Sequence, residues 1–290
     1  MSADLNPTET RLEVQKLNQL PAMSLVVHQF LQALEDDDVE VRQLAQIIEK
    51  DPALTARIIG LANAAYFGLT ERVTSVEEAI FKVLGLNTAK SLALSIVLAG
   101  PFDARHCPGF KLSRYWAQAM CTAMLAQRLA PLVRAEPRPA TAEAYLCGLL
   151  HDLGLLALVH IYPDEMAQVF ATSAQPPKPP LSELEHEALG ANHHQVGGWL
   201  ARKWHLPGNV VTVIEQHVDG TYDGPGWASV ALIGFCSKWA VRFLDGEQDQ
   251  VSLAIPEALG MDAERAACVL EEMRVREEEV LTMAQILSGA

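Results

Sequence analysis

Apolar positions along the chain recur at helical spacing, and no alternating β-branched segment of useful length interrupts them. Asp51 followed by Pro52 reads as an N-cap with proline at the first helical position, and Leu54, Ile58 and Leu61 then share one face. Ser75-Val76-Glu77-Glu78 reads as a capping box, with Ser75 and Glu78 each able to satisfy a free backbone N–H. Gly85 can end that helix and Asn87 can begin the next. Ser182-Glu183-Leu184-Glu185 reads as a second capping box. Alanine and leucine dominate throughout. The pattern predicts an all-α chain, a bundle of about a dozen helices.

Two segments interrupt the helical pattern. Pro101 to Gly109 (PFDARHCPG) could join two sub-bundles, and Ser173 to Pro180 (SAQPPKPP) reads as a surface loop, because its prolines cannot propagate a helix. Asp262 to Leu287 reads as a single helix. Its Arg274-to-Glu279 part is charged at nearly every position, as a solvated or partner-facing surface would be.

Composition narrows the functional classes. Half of the 290 residues are apolar, enough to build a core. The net charge of −14 repels phosphate backbones and argues against nonspecific nucleic-acid binding. Cys107, Cys121, Cys147, Cys236 and Cys268 are scattered and form no CxxC pair, which argues against a disulfide framework or a zinc ribbon. The opening residues are polar, unlike a signal peptide. The longest apolar run, Leu146 to Ile161, is shorter than the ~20 residues a bilayer span needs. Together these point to the cytoplasm, with neither nucleic acid nor membrane as a partner.

Candidate chemistry centres on His151-Asp152. In the apolar stretch CGLLHDLGLLALVHI, Asp152 is the one formal charge in about four turns. A buried carboxylate needs a metal, a histidine or a backbone donor to compensate it. His193 and His194 lie near the start of a later helix capped by Asn192, and His217 lies near the end of the helix after that. Imidazoles combined with Asp152 would make a mixed N/O site for a transition metal. Adjacent His193 and His194 diverge on a helix, so at most one is expected to face Asp152. The alternative is that these are surface or helix-end histidines. Ser24, Ser75, Ser113 and Ser182 lack a GxSxG context, Cys107 and Cys147 lack a nucleophile motif, and no Walker loop or GxGxxG fingerprint occurs.

Several ordered landmarks carry a family resemblance. They are Leu20-Pro21, the stretch Asp51 to Gly68, VTSVEEAIFKVLG from Val73 to Gly85, Tyr115-Trp116 and GLLHDLG from Gly148 to Gly154. Glu187 with Gly190, His193 and Gly197, then Trp204-His205-Leu206-Pro207 and His217, complete the series. From about Gln19 to about Phe243 the chain resembles the HDOD family, the HD-related output domains of bacterial signalling proteins. The resemblance implies an HD-like helical bundle over 106–245, an added N-terminal sub-bundle over 19–105, a tail or short helix over 1–18 and a helical extension over 246–290. Related HD phosphohydrolases hold a divalent metal with a first histidine, the His-Asp pair and a later aspartate, and the metal activates water against a phosphate ester. By that resemblance His151, Asp152, His193 and His217 are the remnant metal set. Gln118 stands at the first-histidine position and Ser237 at the later-aspartate position. The tyrosine-proline portion of the HD-GYP enzymes is missing after His217.

The resemblance therefore implies a non-catalytic signalling module without a required cofactor. It would act through a regulatory protein partner, such as a receiver, a kinase or a GGDEF-type protein, or through a small ligand in the old pocket. A chain with no room for a full receiver before Gln19 would take its input from that partner. The competing expectation is a metal-dependent phosphohydrolase acting on a nucleotide or cyclic dinucleotide.

Overall fold

The structure is a computed structural model and describes residues 28–32, 40–64, 72–175, 179–246 and 255–289. The tail 1–18, Leu20-Pro21, Ser24, residues 65–68 of the second landmark and residues 176–178 of the proline-rich loop lie outside the described residues. Among the described residues there is no strand. The described residues form a helical bundle with an N-terminal sub-bundle.

The N-terminal helices are α1 (Val41–Ile48), α2 (Pro52–Ala62), the short α3 (Val76–Glu78) and α4 (Leu86–Ala99). Asp51 caps α2 by accepting from the N–H groups of Ala53 and Leu54, and Leu54, Ile58 and Leu61 are buried on one face as their spacing predicts. The box before α3 is offset by one residue. Ser75 Oγ accepts from Glu78 N at 3.1 Å, while Glu78 Oε2 accepts from Thr74 N at 3.1 Å. From α3 the chain widens into a π-helical segment, Ala79–Leu84, closed by the bond from Gly85 N to Ile80 O at 2.9 Å. Gly85 has φ +74°, which suits a residue without Cβ. It also begins α4, because its carbonyl accepts from Ala89 N. Asn87 therefore lies inside α4 and is not its cap.

The non-helical connection from Gly100 to Lys111 leads to the central helix α5 (Leu112–Leu129), buried along most of its length. Around it follow α6 (Thr141–Leu150), α7 (Leu153–Ile161), α8 (Pro163–Ser173), α9 (Leu181–Leu189), α10 (His193–Lys203), α11 (Gly208–Gln216) and α12 (Trp227–Leu244). Helices α6 and α12 pack against α5, α4 packs against α6, and α10 packs against both α7 and α11.

Asp262 to Leu287 is two helices. Asp262 caps α13 (Ala263–Arg274), and α14 (Glu277–Ser288) begins after a tightened turn at Val275-Arg276. The charged stretch offers the core no side chain to bury between Met273 and Val280, while α14 gains three glutamates in its first turn, where the helix dipole favours them. Beneath the charges, Val280, Met283, Ala284 and Leu287 are buried, and α14 packs against both α5 and α2.

Two helical stretches, Thr141–Ile161 and Trp227–Leu244, are long and apolar enough to cross a membrane, but 83% and 61% of them are buried inside the fold. Core helices meet the same criterion of length and composition.

Candidate functional site

Four helix ends converge on Asp152. His151 closes α6, Asp152 opens α7, His193 opens α10 and His217 closes α11. Glycines let the elements come this close. A Cβ on Gly154 would lie 1.9 Å from the His193 carbonyl oxygen and 2.4 Å from Gly197 N, so α7 and α10 meet backbone to backbone. A Cβ on Gly234 of α12 would lie 2.1 Å from the His217 carbonyl oxygen. Asn192 caps α10 as expected, in a reciprocal box with Gln195.

Asp152 is only 8% exposed, and its partners are side chains. The Gln118 amide nitrogen donates to Oδ2 at 2.8 Å. His151 Nε2 lies 3.1 Å from the same oxygen, and the Nε2 atoms of His193 and His217 lie 3.6 and 3.8 Å from Oδ1. Gln118, read as standing at a lost ligand position, thus touches Asp152 directly. Ser237 is buried on α12, one turn beyond Gly234, and brings no charged or imidazole group.

The second nitrogen of each imidazole sets how the first can act. His151 Nδ1 lies 2.8 Å from Gly148 O, and His217 Nδ1 lies 3.0 Å from Val213 O. A carbonyl can only accept, so each Nδ1 carries the proton and a neutral ring leaves its Nε2 lone pair facing Asp152. His151 Nε2 is within ion-pair reach of Asp152 but out of hydrogen-bond alignment, and it counts as a buried atom without a hydrogen-bond partner. His194 Nδ1 is likewise buried and unpartnered.

His193 differs. Its Nδ1 lies 2.5 Å from Glu185 Oε2, which also accepts from the His193 backbone N–H at 2.8 Å. Glu185 is fully buried, and its other oxygen has no hydrogen-bond partner. It is not the second half of a capping box: α9 begins at Leu181 behind Pro180, without a side-chain cap. Glu185 and Leu189 form the inward face of α9, whereas Glu187, the expected landmark, is exposed. The spacing of Glu185 from Leu189, one turn apart, is the sequence signal that could have revealed the carboxylate.

His194 also joins the cluster, contrary to the expectation that at most one of the adjacent pair would. Its ring centroid lies 3.9 Å from that of His193 and 4.7 Å from that of His217. Because α10 begins at His193, the two side chains leave the first turn where three other helix ends crowd around it.

Burial and these neighbours set the charges. Burial would raise the Asp152 carboxyl, but His151 and His193 outweigh it and hold it well below the usual range. Burial would lower His193, but Glu185 and Asp152 hold it up at about 10. Burial, reinforced by neighbouring imidazoles, brings His194 down to about 2 and His217 to about 3. Two groups, His151-Asp152-His217 and Asp152-His193-His194, each bring their ligand atoms within 4.8 Å of one another. The cluster could bind a metal. Unpartnered buried nitrogens beside an ionised carboxylate are the donor set a divalent transition ion uses.

The model of the HDOD domain matches residues 20–219. The chain belongs to the HDOD family. An uncharacterised protein of Treponema pallidum (strain Nichols) is 27% identical over 236 residues, 80% of this chain and 44% of that protein. The HDOD chain thus spans less than half the length of that relative. A protein from Marinobacter aquaeolei VT8, provisionally described as a signal transduction protein, superposes with a TM-score of 0.82 at 23% identity, covering 99% of this chain and 68% of that one. The MmoQ response regulator of Methylococcus capsulatus str. Bath shares the fold at a TM-score of 0.51 and 28% identity, covering 87% of this chain and 97% of that one.

Proposed function

We propose that this HDOD protein is a cytoplasmic signal-transduction module that works without turnover, by contact with a regulatory protein or by accepting a small ligand at the Asp152 cluster. One observation carries this reading. The Gln118 amide donates to Asp152 Oδ2 where, by family resemblance, a hydrolase would place its first histidine. An amide is a poor substitute for that imidazole, because its oxygen is neutral and its nitrogen only donates. Ser237 likewise supplies no carboxylate. The 28% identical response regulator supports the same class of role.

A second reading, a metal-dependent phosphohydrolase, is favoured by the number of donor atoms around Asp152. His151, Asp152 and His217, or Asp152, His193 and His194, bring ligand atoms close enough to hold an ion, which when bound would supply Lewis acidity and an activated water. The test is to load purified protein with Mn²⁺, Fe²⁺ or Ni²⁺ and assay phosphomonoesters and cyclic dinucleotides. The signalling reading expects no turnover. Turnover abolished by Asp152→Ala would overturn it.

A further inference from the structure

Glu185 has no evident structural reason to be a carboxylate. It occupies the inward face of α9 beside Leu189, is fully buried, and leaves Oε1 without a hydrogen-bond partner. A buried carboxylate with an unpartnered oxygen costs stability, and replacing such a group together with its partner by apolar residues is often neutral or better. What the side chain does is grip a single residue. Oε2 takes both the backbone N–H and the Nδ1 of His193, at 2.8 and 2.5 Å. That grip turns Nε2 toward Asp152, 3.6 Å away.

The three other imidazoles are held differently. His151 and His217 lean on main-chain carbonyls, and His194 Nδ1 has no hydrogen-bond partner. A carboxylate behind a histidine fixes its tautomer and makes the opposite nitrogen a stronger donor, the arrangement found behind metal-binding histidines.

We infer that Glu185 is a positioning residue that arms His193, so that the Asp152 cluster takes one divalent transition-metal ion. This rests on the Asp152 cluster being the working site of the proposed signalling module, and it requires no turnover. Its failure is separable from that of the module: turnover decides the module, and ion affinity decides this inference.

The experiment uses the full chain and Co²⁺ alone, followed by titration calorimetry and visible absorption, beside ¹⁵N histidine spectra of the ion-free protein. Wild type should take up one Co²⁺ per chain and show His193 protonated at Nδ1. Glu185→Gln should weaken Co²⁺ binding about 10- to 100-fold. Glu185→Leu, which retains bulk but strands two His193 N–H groups, should fold with a lower Tm, lose the ion and show a mixed His193 tautomer. His193→Ala should abolish uptake. The inference is overturned if wild type takes up no Co²⁺, or if Glu185→Gln binds it within about twofold of wild type while His193→Ala does not. An unchanged His193 tautomer in Glu185→Leu would overturn it equally.

Discussion

The Asp152 cluster and the C-terminal helix pair are built in opposite ways. The cluster is built around one of the most apolar stretches of the chain, yet what it buries is polar: Asp152, Glu185 and four imidazoles. Helix α14 opens on three consecutive glutamates, yet what it buries is a fully apolar stripe of Val280, Met283, Ala284 and Leu287. In the first region partners from other helices decide whether the residues are tolerated, because the buried carboxylates of Asp152 and Glu185 draw their counterparts from Gln118 and His193. In the second the helix period decides, because polar residues face water and apolar residues face α5. The cluster should therefore respond to changes in charge and geometry, and the C-terminal pair to changes in volume.

The largest expected effect comes from Gly154→Ala. The added methyl would lie 1.9 Å from the His193 carbonyl oxygen. No flexible side chain can yield there, so α7 and α10 must separate, at a cost of about 4 kcal/mol or more in urea unfolding. A loss below about 1 kcal/mol would show that the helix junction is looser than described. Next, Leu287→Ala should cost about 2–5 kcal/mol through the cavity it leaves, without changing the histidine NMR signals of the cluster. Coupled loss of those signals would show that the two regions are not separable.

The pH profile comes third. His194 and His217, lowered to about 2 and 3, contribute stability that is full above their unfolded value of about 6.5 and lost as pH falls. Asp152, also lowered, adds its own loss below about 3.9. His193, raised to about 10, contributes stability that is full below about 6.5 and lost as pH rises toward 10. Ion-free protein should thus have its highest Tm between about pH 6 and 7. His194→Asn should flatten the acid side by up to one proton and leave the alkaline side unchanged; an unchanged acid side would mean that His194 does not remain neutral in the fold. The smallest effect is expected from Glu278→Ala, an exposed position in the first turn of α14, about 0.3–1 kcal/mol from lost dipole compensation, and less at high salt.

Some of this was legible in the chain. The caps at Asp51 and Asn192 lie within a few residues of the groups they bind, so local sequence contains the whole interaction. The Asp152 problem was legible too, since a lone charge in an apolar stretch must be compensated. Part of its solution was also legible, since His193, His217 and the Gln118 position were named for the site, but the contacts were not. Gln118 lies 34 positions from Asp152, and Glu185 read equally well as a capping residue. The break at Val275-Arg276 was hidden for the same reason, because Asp262 to Leu287 is continuous in helix propensity and only packing on α5 and α2 bends it.

By itself, the sequence determined that the protein is helical, where several helices begin, and that His151-Asp152 would need partners, since those properties follow from backbone capping, side-chain period and the cost of burying charge. Only the tertiary structure decided which partners came: Gln118 on Asp152, Glu185 behind His193, and His194 beside His217. The first and last of those contacts join residues far apart in the chain, and the close approach of α7 and α10 beside them leaves no room for a Cβ at Gly154 or Gly197.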